Sequence, residues 1–164
     1  MIYATVADLV SRFGELELVQ LTDLVNFPPS VIDEPRVEVK LADAAAFVDG
    51  YVGQMYRLPL RGCAKPATVV GGPITYVAPP VLARLTCDVA RYYLHDDLAP
   101  ENEVYRRFKA ATKELDAIAS GVTLLACPWG GSAGDLVRSD VLQRNDVAYC
   151  FSPRQITDDT LRGY

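Results

Sequence analysis

The chain has 164 residues, half of them apolar and 23% charged, the make-up of one globular domain and not of a disordered chain. Sixteen basic against 21 acidic residues give a formal charge of −5, which argues against a protein that grips nucleic acid through its phosphates. No apolar run approaches the roughly 18 residues of a membrane span, and Met1-Ile2-Tyr3-Ala4 does not open a signal peptide. The four cysteines, at 63, 87, 127 and 150, fit no CxxC pattern, and the expectation is four unpaired thiols in a cytosolic protein.

The first predicted helix follows Thr5, a capping residue with Asp8 three positions on. Val6, Leu9, Val10 and Phe13 then recur on one face, and Gly14 ends the run. Residues 15–23 alternate like a strand at first, but Leu18, Val19 and Leu21 favour a second short helix. Asn26-Phe27-Pro28-Pro29-Ser30 is a break.

A long helix is expected from about 34 to 55, with Pro35 in its first turn. Val37, Leu41, Ala44, Val48, Val52 and Met55 form its core stripe, and Arg36, Lys40 and Asp43 line another side. Gly50 and Gly53 mark either a close helix crossing or a fraying end. Residues 57–79 are rich in Pro and Gly. Thr68-Val69-Val70 and Ile74-Thr75-Tyr76-Val77 flank Gly71-Gly72-Pro73, which predicts a β-hairpin. A stretch of this length is either a projecting hairpin that touches a partner or a flexible arm.

The third long helix runs from Pro79-Pro80 to about Asp96. Leu82, Leu85, Val89 and Tyr92 face one way, while Arg84, Asp88, Arg91 and His95 form a charge ladder on the other. His95 is the single histidine, and its place in the last turn suits the helix dipole better than catalysis. Pro100-Glu101 is expected to open a fourth long helix. Its stripe is Val104, Phe108, Ala111, Leu115 and Ile118, and Ser120-Gly121 stops it. Arg106, Arg107, Lys109 and Lys113 make the dense basic patch of the chain, with Glu103 placed to pair with Arg107. The patch reads as a solvated face or, second, as a contact for an acidic neighbour. Beyond Leu125 the chain turns loop-like through Pro128-Trp129-Gly130-Gly131, with 147–151 a short strand candidate and a polar end carrying Leu161 and Tyr164 as anchors.

Recognisable chemistry is sparse. The sequence holds no GxxxxGK[ST], GxGxxG or HExxH, and one histidine cannot build a His-rich metal site. Asp96-Asp97 and Asp158-Asp159 are adjacent pairs that point apart or lie in solvent. The expectation is no catalytic, cofactor-binding or metal-binding residue, no cofactor and no enzyme.

The segment order does carry a resemblance. "MIYATVADLVSRFGELELVQLTD" at 1–23, "LADAAAFVDGYVGQMYRLPL" at 41–60, "APPVLARLTCDVARYYL" at 78–94, "VYRRFKAATKELDAIASGVTLL" at 104–125 and the closing "SPRQITDDTLRGY" at 152–164 together resemble a family of Mu-like prophage proteins. That family is similar, in its helical order, to the head–tail connector proteins of long-tailed phages. The resemblance implies a virion structural protein, a neck adaptor assembled in the host cytoplasm as a ring, expected as a dodecamer. Its partners would be further copies, the portal protein and a tail-completion or terminator protein. Genomic DNA would pass without sequence-specific contacts, and no membrane is involved.

The expected fold is mainly α. It is a small bundle of four to five helices with a long inter-helix hairpin or loop at about 61–78, the core at 1–125 and an extended C-terminal arm at 126–164. The candidate partner-interface residues are Arg106, Arg107, Lys109, Lys113, Trp129, Phe151, Arg154, Ile156, Leu161 and Tyr164. The alternatives are a head-completion or other capsid-associated factor and, further off, a helix-turn-helix DNA-binding regulator.

Overall fold

A computed structural model describes residues 2–69, 71–95 and 102–137. Among the described residues, five helices and one two-stranded sheet follow each other as α1 (Val6–Phe13), α2 (Glu15–Thr22), α3 (Glu34–Val52), β1 (Cys63–Lys65), β2 (Thr75–Val77), α4 (Pro80–Leu94) and α5 (Glu103–Ala119). The fold is mainly α, as the apolar periodicity predicts.

Local signals set most helix ends. The Thr5 hydroxyl accepts the Asp8 backbone N–H, and the Asp8 carboxylate accepts the Thr5 backbone N–H at 2.8 Å, a complete capping box. Gly14, at φ 90°, takes the chain from α1 directly into α2 in a conformation that side-chain-bearing residues rarely adopt. Asp33 caps α3, with Pro35 in the first turn. α5 starts two residues later than expected, because the Asn102 side chain accepts the Val104 N–H at 2.9 Å and makes Asn102 the cap. Pro100, Glu101 and the Asp96-Asp97 pair lie outside the described residues.

α3, α4 and α5 pack on one another as the central layer, and α1 closes one side against α3 and α4. The whole predicted α3 stripe, Val37, Leu41, Ala44, Val48, Val52 and Met55, is buried. Leu82, Leu85 and Val89 of α4 and Ala111, Leu115 and Ile118 of α5 meet it. At about 1.5–3 kcal/mol for each fully buried large apolar side chain, this stripe-to-stripe contact is the main stabilising term. Gly53 does not mark a helix crossing. A β-carbon there would come within 3.1 Å of the Leu58 side chain in the turn that leaves α3, whereas one at Gly50 would meet open space.

Three sequence expectations are corrected. First, β2 pairs with Cys63–Lys65 and not with Thr68-Val69, Val70 lying outside the described residues; the antiparallel register is Cys63↔Val77, Ala64↔Tyr76 and Lys65↔Thr75. Thr68 and Val69 lie in the turn region instead, where the Gly72 N–H reaches the Val69 carbonyl at 3.0 Å, and Val69 is exposed. β1 is fixed at its base: Cys63 is buried, and the Gly62 N–H reaches the Ala133 carbonyl at 2.8 Å. Second, Cys63 and Cys127 form a disulfide, Cα to Cα 5.3 Å, so two of the thiols read as free are paired. Cys87 is free and buried, and burial pushes its thiol up to about 11. Third, Arg91 does not extend the α4 charge ladder; it crosses to α2, as described below.

Residues 126–137, read from sequence as the start of an arm, lie against the helical core. Cys127, Ala133 and Leu136 join the core cluster, and Arg57 and Val137 N–H groups reach the Asp135 and Met55 carbonyls, each at 2.8 Å. Tyr56 is the hub of this junction. It is 1% exposed, and its hydroxyl accepts the Leu125 N–H at 2.7 Å. Tyr56→Phe keeps the ring and removes the acceptor, leaving a buried N–H unmade. The expected loss is about 1–3 kcal/mol of unfolding free energy in denaturant melts. A change below about 0.5 kcal/mol would mean that water or another carbonyl replaces the hydroxyl.

Candidate functional site

The described residues contain no group of three or more His, Cys, Asp or Glu side chains arranged to hold a metal. His95, the candidate imidazole, caps its own helix, with Nδ1 2.9 Å from the Arg91 carbonyl oxygen. What the fold builds instead is a set of exposed apolar and charged surfaces on rigid supports.

The most developed of these is the connection between α2 and α3. Asp23 is only 7% exposed, and its carboxylate accepts backbone N–H groups from Val25, Asn26, Ser30 and Val31 at 2.9–3.2 Å. The Asn26 side-chain amide adds two further donors. These bonds, that of Ser30 foremost, hold the Asp23 carboxyl well below the usual carboxylate range. Around this internal staple the loop turns its apolar side chains outward: Phe27 is 100% exposed, Val25 92% and Leu24 71%. Exposed apolar side chains in one contiguous group mark contact surfaces.

Asp23 gives the loop a pH dependence with a definite sign. A lowered folded pKa stabilises at pH above the ordinary value of 3.8, and that stabilisation is lost as pH falls below it toward the folded value. In an NMR titration the Asn26 and Ser30 amide resonances are expected to hold steady through pH 3.8, the point at which an ordinary Asp carboxyl is half protonated. They then move toward loop-like shifts in stronger acid. Asp23→Asn is expected to place them there at neutral pH; an unchanged spectrum in that variant would contradict the staple.

A second surface is the cleft where α1, α4 and α5 meet. Its volume is about 320 Å³, and Arg12, Phe13, Arg84, Asp88, Arg107 and Ala110 line it. Asp88 lies 3.6 Å from Arg84, and burial pushes its carboxyl upward against the pull of Arg84 and then Arg107. Arg84 also reaches Glu114 of α5 at 2.5 Å. Beside the cleft, Arg91 makes a bidentate pair with Glu17 of α2 at 2.6 and 2.9 Å and stacks over the Phe13 ring at 4.5 Å. That pair ties α2 to α4 and fixes the orientation of the loop that follows α2.

A third surface is an apolar groove of about 630 Å³ between the N-terminal segment and α3. Ala42, Ala45, Ala46, Glu38 and Asp49 of α3 are among the residues that line it. The Tyr3 hydroxyl donates to Asp49 and pins the segment there; burial, then Asp49, pushes the Tyr3 phenol upward.

The sequence-predicted interface residues fall into three groups. Arg106, Arg107, Lys109 and Lys113 share the exposed side of α5, where Arg107 pairs with Glu103 at 3.0 Å and Arg106 with the same carboxylate at 3.4 Å. Trp129 is 45% exposed at the tip of a tight turn, closed by the Gly130 N–H on the Cys127 carbonyl at 3.0 Å and made possible by positive φ at Gly130 and Gly131. Phe151, Arg154, Ile156, Leu161 and Tyr164 lie outside the described residues. Sequence reasoning missed the Asp23 loop, although Asp23 and Asn26 around an apolar, proline-containing run carry the Asx-turn signal. It also missed the cleft, whose three arginines come from three separate helices.

The chain is similar to known proteins over most of its length. The family model described as "Bacteriophage Mu, Gp36" matches residues 3–134. The "Gene product J" of Escherichia phage Mu is 30% identical over 126 residues, 75% of each chain. The "Mu-like prophage FluMu protein gp36" of Haemophilus influenzae is 28% identical over 125 residues, 76% of each chain.

Proposed function

The chain belongs to the bacteriophage Mu Gp36 family, and from that membership we propose that it is a non-enzymatic virion structural protein, the head–tail connector between portal and tail. In this reading copies of the chain form a ring that continues the DNA channel and receives the tail. The observation that carries it is the way the helical core holds apolar side chains out to solvent. Phe27 and its neighbours stand on a stapled loop, and Val69, Ile74 and Tyr76 stand on the hairpin, exposed at 71%, 62% and 47%. A subunit that acts by assembly needs such preformed contacts, because each segment already ordered before binding lowers the entropy cost of docking. The overall acidity fits a channel through which DNA slides without sticking, provided acids line the lumen.

The test is capture of the portal protein. The purified chain is expected to retain portal protein from the same phage, and substitution of Val69, Ile74 and Tyr76 by serine to reduce that retention. No retention of portal by the intact chain would sink the connector reading and favour a capsid-associated role elsewhere in the head.

A further inference from the structure

The α2–α3 loop and the α1–α4–α5 cleft, lined by Arg12, Arg84, Arg107 and Asp88, belong to one molecule. We propose that the loop at 24–31 of one copy docks into the α1–α4–α5 cleft of a second copy. The inference rests on the ring reading above for its occupant and adds the residues that make the subunit contact.

Charge is distributed along the chain in a way that suits such a contact. Residues 1–52 hold nine acids and three bases, while the twelve acids and thirteen bases of 53–164 nearly cancel. The loop itself carries no charge from Leu24 to Val31, but Asp33 and Glu34 follow it directly. An acceptor for this loop should be partly apolar and rimmed by positive charge. The cleft answers that description, lined by Phe13, Ala110 and three arginines, Arg12, Arg84 and Arg107, against the single carboxylate of Asp88, with Arg84 also paired to Glu114 and Arg107 to Glu103. The larger groove on α3 does not, since Glu38 and Asp49 in its lining would meet Asp33 and Glu34 with like charge.

Size and chemistry agree. A cavity of about 150 Å³ holds a benzene ring, so the 320 Å³ cleft can take the Phe27 side chain and part of the adjoining Pro28-Pro29. A phenylalanine ring among guanidinium groups gains cation–π attraction, as Phe13 already does beneath Arg91 at 4.5 Å. The Asp23 staple fixes the loop before contact, so little ordering is left to do on docking. Loop and cleft use different residues, which makes the contact heterologous. Repetition of such a contact closes a ring or extends a filament, whereas a self-matching patch would stop at a dimer.

The test places a photoreactive benzoylphenylalanine at position 27 of the full chain and mixes isotopically light and heavy preparations before illumination. Mixed light–heavy crosslinks are expected to peptides containing Phe13, Arg84 to Asp88, or Arg107 to Ala110. Ala110→Trp, which fills the cleft from an exposed position, is expected to cut their yield more than about tenfold. Arg107→Glu serves as the second variant should the tryptophan disturb folding. Crosslinks confined to single chains, directed to the α3 groove, or indifferent to both variants would overturn the contact. The readout uses purified protein, so it is independent of where the subunit sits in the virion. A subunit located away from the neck with these crosslinks intact would sink the connector reading and leave the contact standing.

Discussion

Replacing Cys127 by serine, or reducing the protein, is expected to lower the unfolding free energy by about 4 kcal/mol. The bond from Cys63 to Cys127 spans 64 residues of sequence, enough to encompass the hairpin, α4 and α5. Closing a loop of that size removes much of the unfolded chain's freedom, and the penalty returns to the unfolded state's advantage when the bond is cut. The bond also joins the base of the hairpin to the segment that follows α5, and both ends are nearly sealed from solvent. The melting temperature should fall by roughly 10 °C for a chain of this size. The denaturant m-value should rise, since the reduced unfolded chain is more expanded. Cys87 does not compete for pairing, because its buried thiol is pushed up to about 11 and is mostly protonated at neutral pH. A shift below about 1 kcal/mol would mean that the bond does not form in solution or that it imposes matching cost on the folded state.

Leu115→Ala is expected to cost about 3 kcal/mol. Leu115 is fully buried on α5 and belongs to the contact with α3 and α4. Truncation removes the transfer free energy of its side chain and leaves a cavity that three packed helices cannot collapse to fill. Lys113→Ala, two residues away on the exposed side, is expected to change stability by less than about 0.5 kcal/mol. The pair of measurements separates the core function of α5 from its charged surface. Equal effects in both variants would contradict the assigned facing of the helix.

How much of this was readable in the sequence depends on how local the signal is. Thr5 with Asp8, Gly14, Pro35 and Ser120-Gly121 act within one turn of chain, and the helix ends they set were legible. The stripes from Val37 to Met55 and from Val104 to Ile118 were legible because burial repeats at the helical period. The disulfide was not, since Cys63 and Cys127 meet only after the hairpin base and the 126–137 segment have both come to the exit of α3. The first hairpin strand was misplaced for a related reason. Thr68 and Val69 have the better strand propensity, but Cys63 is anchored by its bond and by the Gly62 contact, and register follows the anchor. Arg91 pairs with Glu17 across 74 positions, and no helical spacing announces a partner on another helix. The stapled loop failed in the opposite sense: its signal was local, yet Phe27-Pro28-Pro29 reads only as a break until Asp23 is seen to gather four backbone N–H groups around it.

The connector role is tested most directly by cryo-electron microscopy of purified virions with this subunit located in the map. The account predicts a ring of copies at the neck, between portal and tail, with the helical cores side by side around the DNA channel. Density for the subunit on the capsid shell, in the tail or at its distal end, and none at the neck, would contradict it.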